Sequence, residues 1–126
     1  MLFAAAVLAA MAAGAIMFAE SRKRTRIMAD QVSGGSNRAG REAMATYGCG
    51  SCHVIPGIAG ATGQVGPDLG KVAVRATIAG KFPNNPAIMA RWLRHPKAMI
   101  PGSGMPEQGV TERDARNMAA YLYTLK

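Results

Sequence analysis

The pattern of apolar and polar positions divides the chain into two parts. The first 19 residues, MLFAAAVLAAMAAGAIMFA, carry no charge. As a helix rising about 1.5 Å per residue, they approach the ~30 Å thickness of a bilayer's hydrocarbon core. From residue 38 onward, helical patterns cover three segments, 38–47, 86–95 and 111–125. The pattern predicts one transmembrane helix followed by a small all-α domain.

Local signals place the ends of the predicted helices. Asn85 followed by Pro86 is typical of an N-cap and a first helical residue, and Pro96 ends that helix. Thr111 with Asp114 three residues later is a variant of the capping box. No segment shows a convincing strand pattern. We therefore divide the chain into an anchor (1–19), a basic juxtamembrane segment with a flexible linker (20–37) and a folded domain (38–126).

The apolar segment has two interpretations. A small-residue cleavage site, Ala13-Gly14-Ala15, lies inside the apolar run rather than after it, which favours a retained anchor over a cleaved signal peptide. Both interpretations export the domain, so we expect a single-pass helix in a bacterial inner membrane with the domain on the periplasmic side. The basic cluster RKRTR follows the helix, however, and the positive-inside tendency would place it in the cytoplasm. The topology stays open on this point.

Composition indicates that a large apolar group completes the domain. The chain contains 15 Gly and 7 Pro, and aromatic residues make up only 6% of it. A domain of about a hundred residues with long loops and few large side chains is marginally stable unless a cofactor adds to its core. The net charge of +8 suits an acidic protein, anionic lipid or nucleic acid. Because no nucleic-acid-binding motif occurs, we expect no nucleic acid partner.

Both cysteines lie in the sequence CGSCH, at Cys49 and Cys52, directly before His53. A structural zinc site needs four ligands, and only His95 remains to complete one, without finger spacing. A redox dithiol belongs to a βαβ pattern that is absent here. A disulfide across two residues is strained and leaves the histidine unexplained. Covalent attachment of one haem c uses every element, with two thioethers and His53 as an iron ligand.

A second iron ligand is expected from a loop. Met105 lies in PGSGMPEQG, a stretch without helical periodicity, and Pro106 fixes the backbone beside it. The other methionines fall mostly in helical patterns or in the apolar segment, where methionine commonly fills space. His95 is the alternative and would give a bis-histidine iron of lower potential. The sequence favours His53 and Met105 as metal ligands.

Four segments in order, GREAMATYGCGSCH, GPDL, ARWLRHPKAMIPGSGMP and NMAAYLYTL, resemble the class I cytochromes c from about Gly40 to Leu125. The resemblance implies about three to five helices wrapped around one covalent haem. It implies Cys49 and Cys52 as thioether residues, His53 as proximal ligand and Met105 as distal ligand.

The same resemblance implies supporting roles. Pro67 would accept a hydrogen bond from the proximal histidine through its carbonyl, orienting the ring. Trp92 would lie against the haem, and Ser103 would hydrogen-bond near a propionate or simply serve a turn. A close contact between the first and last helices of the domain is implied for Gly40, Met44, Met118 and Tyr121.

An iron with both axial positions filled has no position for substrate, so we expect a one-electron carrier rather than an enzyme. The expected partners are a terminal oxidase, a quinol–cytochrome c reductase or a photosynthetic reaction centre with an acidic docking surface, and membrane lipid through the N-terminal helix. The basic docking residues would be Lys71, Arg75, Lys81, Arg91, Arg94 and Lys97. Two alternatives are the electron-accepting module of a periplasmic dehydrogenase and, if Met105 is labile, a peroxidase or gas-binding protein.

Overall fold

Helices carry most of the fold in a computed structural model that describes residues 1–126. They are α1 (Leu2–Ser33), α2 (Asn37–Thr46), α3 (Pro86–Arg94), α4 (Pro96–Met99) and α5 (Glu112–Leu122). Strands β1 (Thr77–Ile78) and β2 (Phe82–Pro83) form an antiparallel hairpin in which Ile78 pairs with Phe82. The helical prediction is confirmed. The hairpin was not predicted because two-residue strands are too short to show alternation.

The core forms where α2 crosses α5. Met44 and Met118 are 1% and 0% exposed. A Cβ added to Gly40 would lie 2.9 Å from the Met118 backbone nitrogen and closer still to the Asn117 carbonyl. Only glycine therefore allows this approach, and the predicted contact between the two helices is confirmed.

The caps predicted for α3 and α5 are present. The Asn85 side chain accepts a hydrogen bond from Ile88 N (2.9 Å), and the Thr111 hydroxyl accepts one from Asp114 N (3.1 Å). Helix α5 ends three residues before the predicted Leu125. There the Leu125 carbonyl accepts a hydrogen bond from Ala73 N (3.0 Å), which ties the chain end to a loop instead of a further helical turn.

Helix α1 extends well beyond the apolar segment. It contains one stretch long and apolar enough to cross a membrane, with a mean hydropathy of 2.3 and no part buried against the rest of the protein. The helix continues through most of the segment 20–37 and stops at Gly34, whose φ of 63° is left-handed. Only residues 34–36 separate α1 from α2. The three-part division of the chain stays a prediction.

Candidate haem site

A cavity of about 390 Å³ opens between the cysteine-containing turn, α3 and the loop after α4. Of its 25 lining residues, 14 are hydrophobic, and its volume falls in the range of about 300–1,000 Å³ typical of cofactor sites. Each cofactor-binding residue expected from the sequence lines this cavity: Cys49, Cys52, His53, Pro67, Trp92, Ser103 and Met105. The fold thus gathers side chains up to 56 positions apart in the sequence around one space.

A tight turn positions the two cysteines and the histidine. Cys49 begins a 3₁₀ turn (Cys49–Ser51) directly after Gly48, whose φ of 71° favours glycine. His53 N donates to the Cys49 carbonyl (3.1 Å), so the turn carries Cys52 and His53 back beside Cys49. Both cysteines are half-buried, and they form no disulfide with each other. Burial raises the pKa of the Cys49 thiol, a backbone hydrogen bond opposes the rise, and the nearby Cys52 adds to it.

The His53 ring is held on one side by the backbone. Its Nδ1 lies 2.7 Å from the Pro67 carbonyl oxygen, so Nδ1–H donates and Nε2 keeps its lone pair. A Cβ added to Gly66 would lie 2.7 Å from Nδ1, inside contact distance. Glycine at position 66 therefore lets the chain pass close enough for Pro67 to fix the ring. A histidine held in this way is oriented as a metal ligand.

The loop after His53 is ordered by its own hydrogen bonds to the turn. Gly63 N donates to the Gly50 carbonyl (3.0 Å), and Gly66 N donates to the Cys52 carbonyl (2.7 Å). These hydrogen bonds place Gly66 and Pro67 next to the His53 ring. The sequence assigned no role to Gly66, although it opens the segment GPDL, because its importance lies in a distance to a residue 13 positions away.

Only one of the two candidate second ligands lines the cavity. Met105 is half-buried there, and its backbone N donates to the Ser103 hydroxyl (3.2 Å), so Ser103 orders the loop that presents the thioether. His95 is exposed and lies outside the lining, with Nδ1 3.8 Å from a Glu107 carboxylate oxygen. The geometry favours Met105. Sequence reasoning also missed the hairpin residues Thr77, Ile78 and Ala79, which line the cavity.

The residues present fit a covalently bound haem. Two free thiols, an oriented imidazole and a thioether line one largely apolar cavity, which together define a mono-haem protein of the c type. The model of the cytochrome c family matches residues 38–126, and the chain belongs to this family. Its members bind haem c covalently, and the chain is a class I mono-haem cytochrome c with the haem-based electron transfer of that family. No curated protein and no solved structure matches the chain significantly.

Proposed function

We propose that the chain is a one-electron carrier of a membrane-bound respiratory or photosynthetic chain, with His53 and Met105 as the axial ligands of its haem iron. The observation that supports this most directly is that these two side chains and both cysteines line the same cavity. When bound, the haem supplies a reversible one-electron couple. The family match supports electron transfer, and the ligand assignment rests on the geometry.

Each residue has a separate task in this proposal. Cys49 and Cys52 hold the cofactor, and the Pro67 carbonyl keeps His53 in one orientation and raises its basicity. A haem iron held by the Met105 thioether would favour the ferrous state and so have a raised reduction potential. If His53 and Met105 both hold the iron, a substrate would have no free coordination position. This favours a carrier over an enzyme.

Carbon monoxide binding tests the ligand assignment. The reduced wild-type protein should bind carbon monoxide slowly or not at all, whereas Met105→Ala should bind it rapidly because the position opens. His95→Ala is the matched control and should behave like the wild type, since His95 lies outside the cavity. Rapid binding by the reduced wild type would instead support the peroxidase or gas-binding alternative.

The docking surface is the second part of the proposal. Of the six basic residues expected to dock a partner, Arg75 lines the cavity itself, and Lys71 and Lys81 are exposed. Arg94 is half-buried with an unpartnered Nε, so it is the least suited to docking. Electron transfer to an acidic partner should slow as salt rises. An electron-transfer rate that does not depend on salt would show that these residues do not dock the partner.

The partner itself is proposed by class. A terminal oxidase, a quinol–cytochrome c reductase or a photosynthetic reaction centre fits a basic, one-electron carrier on a membrane. The alternative is the electron-accepting module of a periplasmic dehydrogenase. Purification of the full chain from membranes and identification of what accompanies it would distinguish them, because only a dehydrogenase module would co-purify with a substrate-oxidising subunit.

We also propose that α1 is a single-pass anchor in a bacterial inner membrane and that the haem domain lies on the periplasmic side. The apolar stretch of α1 is exposed and long enough to span the bilayer, which supports the anchor. An apolar N-terminal segment directs export whether it is retained or cleaved, which supports a periplasmic domain. Protease added to the outside of spheroplasts should digest residues 38–126, and protection of the domain would contradict this topology.

A further inference from the structure

A second cavity, of about 750 Å³, lies between α1, α2 and the end of α5. Only 3 of its 14 lining residues are hydrophobic, and none is Asp or Glu. Four lining residues are arginines, Arg22 and Arg26 from α1 and Arg38 and Arg41 from α2. The cavity therefore gathers positive charge from two helices, and it has no part in the haem site.

The protein itself neutralises these arginines very little. The side chains of Arg26 and Arg41 make neither a hydrogen bond nor a salt bridge to any other residue. Arg38 has one partner, Glu42 at 3.7 Å, and both side chains are so exposed (92% and 71%) that the pair contributes little. The four arginines and Lys126, which also lines the cavity, repel each other, so an anion bound among them would be stabilised.

Charges from both helices act on one residue of the lining, Tyr121. Tyr121 lines the cavity, and its hydroxyl donates to the Pro56 carbonyl. Burial raises the pKa of this phenol, and the positive charges of Arg41 and then Arg26 act against the rise. Guanidinium groups from α2 and α1 thus influence the same side chain.

Hydrogen bonds hold the helices that form the cavity. The Asp30 carboxylate near the end of α1 accepts from Asn37 N (2.6 Å) and Asn37 Nδ2 (2.9 Å) at the start of α2. Ser36 N donates to the Asn117 side chain of α5 (2.9 Å). Ala29, on α1, is 3% exposed. The spacing of the arginines is therefore set by the fold and does not depend on the short connection alone.

The cavity lies at the level where the apolar stretch of α1 ends. Phe18, next to the last residue of that stretch, lines the cavity, and Arg22 lies one turn further along with its guanidinium 5.6 Å from the Phe18 ring. In a chain anchored through residues 1–19, this is the depth of lipid headgroups. An apolar ring beside a cluster of cations matches a molecule that has both an anionic group and hydrocarbon.

We propose that this cavity binds the phosphate headgroup of an anionic phospholipid, with the acyl chains lying along the apolar part of α1 beside Phe18. Arginine suits the role because its planar guanidinium forms paired hydrogen bonds with phosphate oxygens. The inference rests on the proposed membrane anchoring of α1. The proposal also gives the basic residues after the anchor a role in lipid binding. Their charge then no longer argues, through the positive-inside tendency, for a cytoplasmic domain.

The test measures lipid bound to the full-length haem-loaded protein in non-ionic detergent. Native mass spectrometry would count phosphatidylglycerol and, separately, phosphatidylcholine as each is added. We expect one phosphatidylglycerol per chain, held at least about tenfold more tightly than phosphatidylcholine, because the choline cation cancels the phosphate charge and is repelled by the arginines, whereas phosphatidylglycerol keeps its net negative charge. Equal retention of the two lipids would overturn the proposal.

A matched pair of double variants separates a built site from general basic charge. Arg22→Gln/Arg26→Gln removes two lining arginines, whereas Lys23→Gln/Arg24→Gln removes the same charge from the same part of α1 without touching the lining. We expect about tenfold or greater loss of phosphatidylglycerol affinity in the first and less than about threefold in the second. Equal losses in both would contradict the proposal. An unchanged haem-to-protein absorbance ratio would show that both variants fold.

Two further arms identify the source of the anion and the state of the anchor. Inorganic phosphate and glycerol 3-phosphate should fail to displace the bound phosphatidylglycerol at millimolar concentration, and displacement would assign the cavity to a soluble anion instead, against the proposal. Carbonate extraction of membranes tests anchoring by itself. Release of the chain would contradict the anchor, while the detergent measurement decides the lipid site independently.

Discussion

The two cavities of this protein are built from opposite kinds of residues. The haem cavity has largely apolar walls, and its few polar groups are fixed by specific bonds such as that from His53 to Pro67. The cavity beside α1 has mostly polar walls, and the side chains of Arg26 and Arg41 make no hydrogen bond or salt bridge. The first depends on the exact placement of a few atoms, whereas the second depends on accumulated charge. Substitutions should therefore affect them very differently.

Two tyrosines near the end of α5 show the same contrast. Tyr121 lines the cavity beside α1, where arginines oppose the effect of its burial. The Tyr123 hydroxyl donates to Asn84 Oδ1 (2.7 Å), and Asn84 Nδ2 donates to the carbonyls of Val72 (2.8 Å) and Arg75 (2.9 Å), two residues that line the haem cavity. Tyr121 thus borders the arginine-lined cavity, whereas Tyr123 belongs to a hydrogen-bond network that holds the backbone of the haem cavity.

The largest expected effect is loss of the cofactor. His53→Ala removes the proposed proximal ligand, and we expect covalent haem to fall to a small fraction of the wild-type level. Haem staining after denaturing electrophoresis, normalised to protein, measures it. His95→Ala is the control and should retain wild-type haem, since His95 lies outside the cavity. Loss of haem in His95→Ala and wild-type haem in His53→Ala would instead identify His95 as the ligand.

The haem cavity was predictable from the sequence to the extent that chemistry demands particular residues at particular spacings. CGSCH and a methionine on a proline-bounded loop identify Cys49, Cys52, His53 and Met105 as residues that should meet. Gly66 could not be identified in this way, because its role depends on the distance between two backbone segments. The cavity beside α1 was also missed. Its arginines come from two helices, and no motif links Arg22 and Arg26 with Arg38 and Arg41.

The fold was predicted best where local signals decide it. The caps Asn85 and Thr111 placed the starts of α3 and α5 within a residue. Boundaries set by tertiary contact were less accurate, since α5 stops early where Leu125 bonds to Ala73. The stretch VSGGSNRAG, which begins at Val32, looked like a flexible linker because of its Gly and Ser residues, yet only residues 34–36 separate α1 from α2. Hydrogen bonds to α2 and burial of Ala29, which the sequence does not display, accompany the continuation of α1 to Ser33.

A smaller effect is expected from Gly66→Ala. The added Cβ would lie 2.7 Å from His53 Nδ1, so the ring or the backbone must move and the bond to Pro67 weakens. We expect the free energy of unfolding to fall by about 1–3 kcal/mol, as for other overpacked sites. Chemical denaturation followed by haem absorbance measures the change. Gly14→Ala is the control outside the haem cavity, because its Cβ would also meet nothing within 4 Å. Equal losses in both variants would mean that close approach to His53 is unimportant.

The two tyrosines predict a loss of stability at alkaline pH. Burial raises the pKa of Tyr123 to about 12, above its ordinary value of 10.0. Between these values the unfolded chain releases a proton that the folded chain retains, so stability is complete below pH 10 and falls as pH rises toward 12. Tyr123→Phe should flatten this fall, and Tyr121→Phe should flatten it less because Arg41 and Arg26 oppose the rise there. Urea denaturation at a series of pH values measures both. An unchanged slope in Tyr123→Phe would contradict the assignment.

The smallest effect is expected in the cavity beside α1. Arg22→Gln/Arg26→Gln removes two exposed side chains, neither of which has a hydrogen bond or salt bridge to lose, so the free energy of unfolding of the haem domain should change by less than about 0.5 kcal/mol. Any increase in the free energy of unfolding should come from reduced repulsion among the arginines and should become smaller as salt is added. Denaturation at low and high salt, followed by haem absorbance, measures both. A fall of about 2 kcal/mol or more in the free energy of unfolding would show that these arginines support the fold. The two cavities would then not differ in the way described above.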